Sequence, residues 1–218
     1  LKEGFSFQTG AGGASLAAAK FLKDIMLRQQ IQGSFGLGGI TGYMVDMLQA
    51  GCFRSLLDVQ CFDLKAVESI RTDPRHQEIS AMHYASPSHR SAVVDSLDVV
   101  ILGATEIDTD FNVNVHTDSS GCIMGGSGGH SDTAAGAKLA MIIAPMFRAR
   151  LPIVTDHVTC VSTPGKDIDV LVTQGGIAVN EKNRELKERL TAAGLPVLDI
   201  HELKEKAEGI TGKPRKMP

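Results

Sequence analysis

The chain has 218 residues, enough for one large domain or two small ones, with room for a real core. With 22 basic and 25 acidic residues its formal charge is −3, which argues against the strongly basic face of a nucleic-acid binder. A 43% hydrophobic and 22% charged composition argues against wholesale disorder, and the longest uncharged apolar stretch, 139–147, contains a proline and is too short to span a bilayer.

In chain order, Phe5 to Thr9 is predicted as a strand that runs into a glycine turn. From Ala14 to Gln30, the residues Leu16, Ala19, Leu22, Ile25 and Met26 keep helical spacing. Ser34 to Leu37 is a short strand candidate, and Thr41 to Ala50 a helix ended by Gly51 at C′. Leu56 to Phe62 reads as a strand, and Leu64 to Arg71 as a helix with Asp63 as its N-cap. The stretch 74–90 is rich in turn residues and is expected to be irregular with one short strand. Leu97 to Leu102 is an apolar run of the kind buried on both faces of a sheet. Further strands are expected at Phe111 to His116, Ile153 to Val161, Asp169 to Val172 and Ile177 to Val179. Helices are expected at Asp132 to Leu139, Glu181 to Ala193 and Glu202 to Ala207, and the tail 212–218 reads as a frayed end. This alternation predicts an α/β fold, an open and mostly parallel sheet with helices on both faces, forming a single domain over 1–218. The β-rich middle, Val113 to Val179, adds antiparallel hairpins.

Four cysteines without a CxxC pair do not make a disulfide framework, and they point to a reducing cytoplasm. The opening Leu1-Lys2-Glu3-Gly4 reads as mid-protein, so a fragment is expected. Glycine is the unusual entry in the composition: 23 residues, more than half of them in three short windows. Concentrated glycine costs backbone entropy, and close approach to a ligand is one reason to bear it. Gly10, Gly12 and Gly13, followed by Ser15, sit between a strand and a helix, yet Ser15 replaces the last glycine of a dinucleotide fingerprint. The second window, including Gly38 and Gly39, also misses its last glycine. Neither carries the lysine of a nucleotide-binding loop, but both could offer amides to an anion.

The third window is more specific. Glu106 is expected just past the end of the 97–102 strand, and about twenty residues on, Gly125-Gly126-Ser127-Gly128-Gly129 opens a helix. A carboxylate facing a glycine loop that can aim amides at a developing oxyanion is equipment for acyl transfer. Here the sequence resembles a family. GATEIDTDFNVNVHTDSSGCIMGGSGGHSDTAAGAKLA, QTGAGGASLAA, GSFGLGGITG and DVLVTQGGIAVN resemble, in order and essentially end to end, the carboxyl-terminal half of citrate lyase alpha chains, and more distantly the family I CoA-transferases.

The resemblance implies an exchange in which an acetyl-thioester and citrate give a citryl-thioester and acetate. Glu106 would take the catalytic carboxylate's place, and Gly126, Ser127, Gly128 and Gly129 the oxyanion loop's. Gly10, Gly12, Gly13, Ser15, Gly38 and Gly39 would lie against the cofactor, and His116 and His130 against citrate. No metal is expected. The CoA-like group, phosphoribosyl-dephospho-CoA, would arrive on an acyl carrier (gamma) subunit rather than being bound directly, with a lyase (beta) subunit as a further partner in an oligomeric assembly. Other acyl-CoA transferases or hydrolases, a sugar-phosphate isomerase, and a non-catalytic thioester-binding scaffold are the alternatives. Residues 103–132 contain no Lys or Arg, so counter-charges for citrate are expected from elsewhere.

Overall fold

A computed structural model describes residues 1–148 and 150–213; most of the tail expected to fray lies outside the described residues. The chain forms two compact units, Leu1–Ile101 with Gly136–Leu139, and Leu102–Ala135 with Ala140–Pro218.

The first unit runs β1 (Phe7–Thr9), α1 (Gly13–Gln29), β2 (Gly33–Ile40), α2 (Gly42–Gln49), β3 (Phe53–Cys61), α3 (Leu64–Thr72), β4 (His76–Glu78), α4 (Ala81–Ala85) and β5 (Val99–Leu102). Its strands pair in parallel in the order β5-β1-β2-β3-β4, so β1 is an interior strand, flanked by β5 and β2, and its carboxyl end delivers the first glycine turn. Phe53 stacks on Phe7 at 6.3 Å and tilts against Phe5 at 5.8 Å. Glycine in β2 makes room for this core: a Cβ at Gly33 would sit 2.5 Å from the Phe53 ring, and one at Gly36 2.7 Å from Leu56 and Met44. Asp63 caps α3 as expected, accepting from Ala66 N at 2.9 Å. Gly51 follows α2 with φ +78°. The 74–90 stretch holds β4 but also α4, started by Ser80, whose hydroxyl accepts from His83 N. At the β3–β4 edge a closed network joins His76, Asp58, Ser69 and Cys61, and burial with the Asp58 contact pushes the Cys61 thiol up to about 12.

The second unit contains β6 (Glu106–Asp108), β7 (Val113–Asn114), α5 (His130–Gly136), β8 (Leu139–Ile143), β9 (Phe147–Arg148), β10 (Leu151–Pro152), β11 (Val154–Thr155), β12 (Val170–Thr173), β13 (Gly176–Val179), α6 (Arg184–Ala192), β14 (Val197–Leu198) and α7 (Ile200–Thr211). Here β8-β12-β13-β14 is parallel except for the β12–β13 hairpin, and a small sheet runs β11-β6-β7. The hairpins expected of the β-rich middle are β9–β10 and β12–β13, and a further one, β6–β7, begins ahead of it.

Several expectations differ from what is found. The helix expected over Asp132 to Leu139 starts at His130 and stops at Gly136; from Leu139 the chain is a strand, because it pairs with β12 and Ala140 N donates to the buried Asp169 carboxylate. The long strand expected from Ile153 reduces to Val154–Thr155, and that from Phe111 to Val113–Asn114. Phe111 has φ +64°, which turns the chain tightly around Asp108. Helix α7 starts earlier than expected, behind a capping box of Asp199 and Glu202. Among the described residues no helix is long and apolar enough to cross a membrane.

Candidate functional site

Glu106 does not trail from the end of β5 but begins a strand of its own. β6 pairs antiparallel with β7, placing Glu106 opposite Asn114, and parallel with β11. Glu106 is 3% exposed. Its Oε2 accepts from Asn114 Nδ2 and from the Thr159 backbone N–H, both at 2.9 Å, while Oε1 has only a 3.4 Å contact from Thr159 Oγ1. Among the described residues no Lys or Arg pairs with it. It is held by neutral donors and keeps one oxygen lightly used.

Asn114 is the bracket. It is fully buried, its Oδ1 accepts from the N–H groups of His116 and Thr117, and its Nδ2 donates to Thr117 Oγ1 as well as to Glu106. Thr105 Oγ1 closes the same turn by donating to the carbonyls of Asn114 and Thr117. Neither Asn114 nor Thr159 was singled out from the sequence; the alternating Asn112-Val113-Asn114 run was the one available signal, and Thr159 had none. Asp108, also buried, accepts at both oxygens from Asp110, Asn112 and Val158 and so organises the turn.

The Gly125 to Gly129 loop is open. Gly125, Gly126 and Gly128 are exposed, and a Cβ at any of the three would meet nothing within 4 Å. Gly128 has φ +53°, so its conformation favours glycine. The five amides of 125–129 donate to no acceptor among the described residues, while the loop's ends are tied by Met124 N to His116 O and by His130 N to Ser127 O.

The two histidines behave differently. His130 is buried, with Nε2 donating to the Gly103 carbonyl at 2.9 Å and Nδ1 accepting from Thr163 Oγ1 at 2.7 Å, the tautomer following from those partners. Burial pushes its pKa down, the Gly103 carbonyl opposes, and His116 adds to the lowering. Both His130 nitrogens are therefore engaged within the unit. His116 uses Nδ1 toward Ser162 Oγ at 2.6 Å, and its Nε2 has no partner among the described residues.

A cavity of about 320 Å³ lies beside these elements, lined by Thr105, Met124, Asp118, Ser120, Arg148 and Leu151 among others. Thr105 precedes Glu106 and Met124 precedes Gly125, so the immediate neighbours of both candidate groups line one space. Arg148 brings a cation there that the sequence separation concealed, and it makes no ion pair among the described residues. Asp118 is held low by the Ser120 hydroxyl and the amides of Cys122 and Ser120.

The remaining candidates lie in the first unit. Gly38, at φ +105°, sits at a bulge against Gln8, and a Cβ on Gly39 would lie 2.0 Å from the Phe62 ring, so packing inside the unit accounts for both. Gly12 and Gly13 are exposed with nothing within 4 Å of a Cβ, and Ser15 is buried. No group of three or more His, Cys, Asp or Glu among the described residues could hold a metal ion.

The whole chain, residues 1–218, matches the family described as citrate lyase, alpha subunit. It is 54% identical to the citrate lyase alpha chain of Klebsiella pneumoniae over 99% of its own length and 42% of that protein's. It is 52% identical to that of Escherichia coli strain K12, again over 99% of its length and 42% of the relative's. A crystal structure described as the alpha subunit of citrate lyase from Streptococcus mutans in complex with citrate superposes with a TM-score of 0.96 at 48% identity, covering 99% of this chain and 42% of that one. The chain thus spans less than half the length of these relatives.

Proposed function

Because the chain belongs to the citrate lyase alpha subunit family, we propose that it carries the acyl-transfer site of a citrate:acyl-carrier transferase. The observation that bears most on this reading is Glu106, a buried carboxylate without a cation, anchored through Oε2 and free to react through Oε1. In this reading Oε1 attacks the thioester carbonyl of an acetylated carrier, the C–S bond breaks and the thiolate leaves. The carbonyl oxygen, negative in the tetrahedral state, meets the unengaged amides of Gly126, Ser127, Gly128 and Gly129. Return of the thiolate to the Glu106 carbonyl expels acetate. A citrate carboxylate then attacks that thioester, the thiolate departs once more, and it ends on the citryl carbonyl, restoring Glu106. One thioester is exchanged for another, so the chemistry is near isoenergetic and the protein's work is positioning.

A second route fits the 3% exposure and the hydrogen bonds on Glu106: citrate's carboxylate attacks the acetyl-thioester directly, and Glu106 orients it. In both routes His116, through its free Nε2, and Arg148 are the groups of this unit suited to citrate's carboxylates, whereas His130 holds Gly103 and Thr163 in place. Gly10, Gly12, Gly13 and Ser15 are proposed to face the thioester arm, whereas Gly38 and Gly39 are accounted for by packing against Gln8 and Phe62. The thiol belongs to a CoA-like group, phosphoribosyl-dephospho-CoA, on the acyl carrier (gamma) subunit; a lyase (beta) subunit cleaves the citryl product, and the assembly is an oligomer in the cytoplasm.

The test supplies this chain, together with the remaining part of a relative's alpha chain, with citrate and acetylated carrier. Release of acetate with formation of citryl-carrier is expected. Acetate release that does not depend on citrate would point to a hydrolase and refute the reading.

A further inference from the structure

Two histidines of the second unit are held by two consecutive hydroxyls. Thr163 Oγ1 lies 2.7 Å from His130 Nδ1, and Ser162 Oγ lies 2.6 Å from His116 Nδ1. The Ser162-Thr163 segment is fixed on β7: the N–H groups of both residues donate to the Val113 carbonyl, and Val113 N donates to Thr163 O. His130 shows what such a hydroxyl does. The Gly103 carbonyl at its Nε2 can only accept, so Nε2 carries the proton, Nδ1 of the neutral ring accepts, and Thr163 is the donor.

The same accounting settles His116. A serine hydroxyl has one proton to give. Ser162 Oγ already accepts from Val115 N at 3.0 Å, and its own proton has one acceptor among the described residues, His116 Nδ1. With Nδ1 accepting, the neutral imidazole carries its proton on Nε2. There the two rings part. His130 spends its Nε2–H on Gly103, while the Nε2–H of His116 has no partner among the described residues. His116 also stands where a free donor is useful. Its backbone N–H donates to Asn114 Oδ1 at 3.0 Å, and the same Asn114 side chain holds Glu106. Its carbonyl accepts from Met124 N at 2.8 Å, one residue before the Gly125 to Gly129 loop. The backbone of His116 thus ties the carboxylate's bracket to the glycine loop.

We infer that Ser162 is a positioning residue for His116: its hydroxyl donates to Nδ1, fixes the ring as the Nε2–H tautomer, and so holds a neutral hydrogen-bond donor ready for a carboxylate oxygen of citrate. The inference deepens the proposed function and rests on it for the identity of the acceptor; the tautomer stands on the hydrogen bonds alone. Ser162 never touches substrate. Its effect passes through the ring, because a ring without the Nδ1 bond is free to turn and to exchange tautomers, and an unprotonated Nε2 would repel a carboxylate.

The experiment has two arms. Imidazole nitrogen–proton correlation spectra of the nitrogen-15-labelled chain, recorded at about pH 8 where an ordinary imidazole is neutral, read the tautomers directly. Both His116 and His130 are expected in the Nε2–H form, and the unchanged His130 signals in Ser162→Ala show that the fold is kept. The kinetic arm uses the chain joined by the remaining part of a relative's alpha chain, with citrate and acetylated carrier. Ser162→Ala should raise KM for citrate roughly tenfold, the loss of one hydrogen bond to a charged acceptor, and leave kcat within about threefold. Ser162→Thr, which keeps the hydroxyl, should bring KM back to within about threefold of wild type. In a His116→Ala background, Ser162→Ala should add nothing further, because the serine acts through the ring. An Nδ1–H tautomer at His116, a loss confined to kcat, or full additivity of the two substitutions overturns the inference. Should the chain transfer no citryl group, the dissociation constant of citrate takes the place of KM: the same tenfold ratio then keeps the Ser162–His116 pair while the transferase reading fails, and no effect of Ser162→Ala on a working transferase does the reverse.

Discussion

Replacing Glu106 by glutamine and by alanine separates chemistry from architecture. The carboxylate satisfies two buried donors, Asn114 Nδ2 and the Thr159 amide. Alanine strands both, at a cost of about 1–3 kcal/mol per buried unsatisfied group, so Glu106→Ala should lose roughly 2–6 kcal/mol. Glutamine is isosteric: its carbonyl oxygen can take the Oε2 position and keep both bonds, while its amide nitrogen faces Thr159 Oγ1, which can accept. Glu106→Gln should therefore unfold within about 1 kcal/mol of wild type. As a nucleophile, however, an amide is useless, and the expected loss in transfer rate is on the order of a thousandfold or more. Urea denaturation measures the first pair of numbers, and acetate release from acetylated carrier in the presence of citrate measures the last. Transfer by Glu106→Gln within tenfold of wild type would refute a covalent role, and wild-type stability in Glu106→Ala would refute the bracket.

Other perturbations probe the loop, the buried histidine and the rest of the site. Gly126→Ala meets no neighbour and should leave stability unchanged, so a drop in transfer would report ligand approach, whereas Gly128→Val adds about 1–2 kcal/mol of backbone strain at φ +53° and should abolish transfer; unchanged transfer in both would make the loop a mere turn. Because burial holds His130 below its ordinary pKa, the unfolded chain takes up the proton first as pH falls below about 6.5, so the stabilisation present at neutral pH is lost as pH drops through that window. The slope of stability between pH 7 and 5.5 should be shallower in His130→Gln, and parallel curves would contradict the assignment. Finally, this chain by itself should unfold cooperatively but transfer nothing, gaining activity when the remaining part of a relative's alpha chain is added in trans; full activity without that addition would show that one half suffices.

Local physics was legible from the sequence wherever one residue decides one bond. Asp63 before a helical run reads as a cap and is one, and Gly51 ends α2 in the left-handed region. The alternation of α and β likewise foretold a mostly parallel sheet. What the sequence could not carry was decided by partners distant along the chain. Leu139 to Ile143 has residues compatible with a helix, yet it is a strand because β12 and Asp169 wait for its amides. Gly38 and Gly39 look like a second ligand loop until Gln8 and Phe62 are found in the space a side chain would need. Glu106 could be recognised as a candidate from its surroundings in sequence, but its anchoring by Thr159, 53 residues away, and the place of Arg148, in the β9–β10 hairpin, on the cavity beside Thr105 exist only in the folded unit. Caps and turns are written within a few residues of each other. The environment of a buried carboxylate is set by which distant amide the fold brings within 3 Å of it.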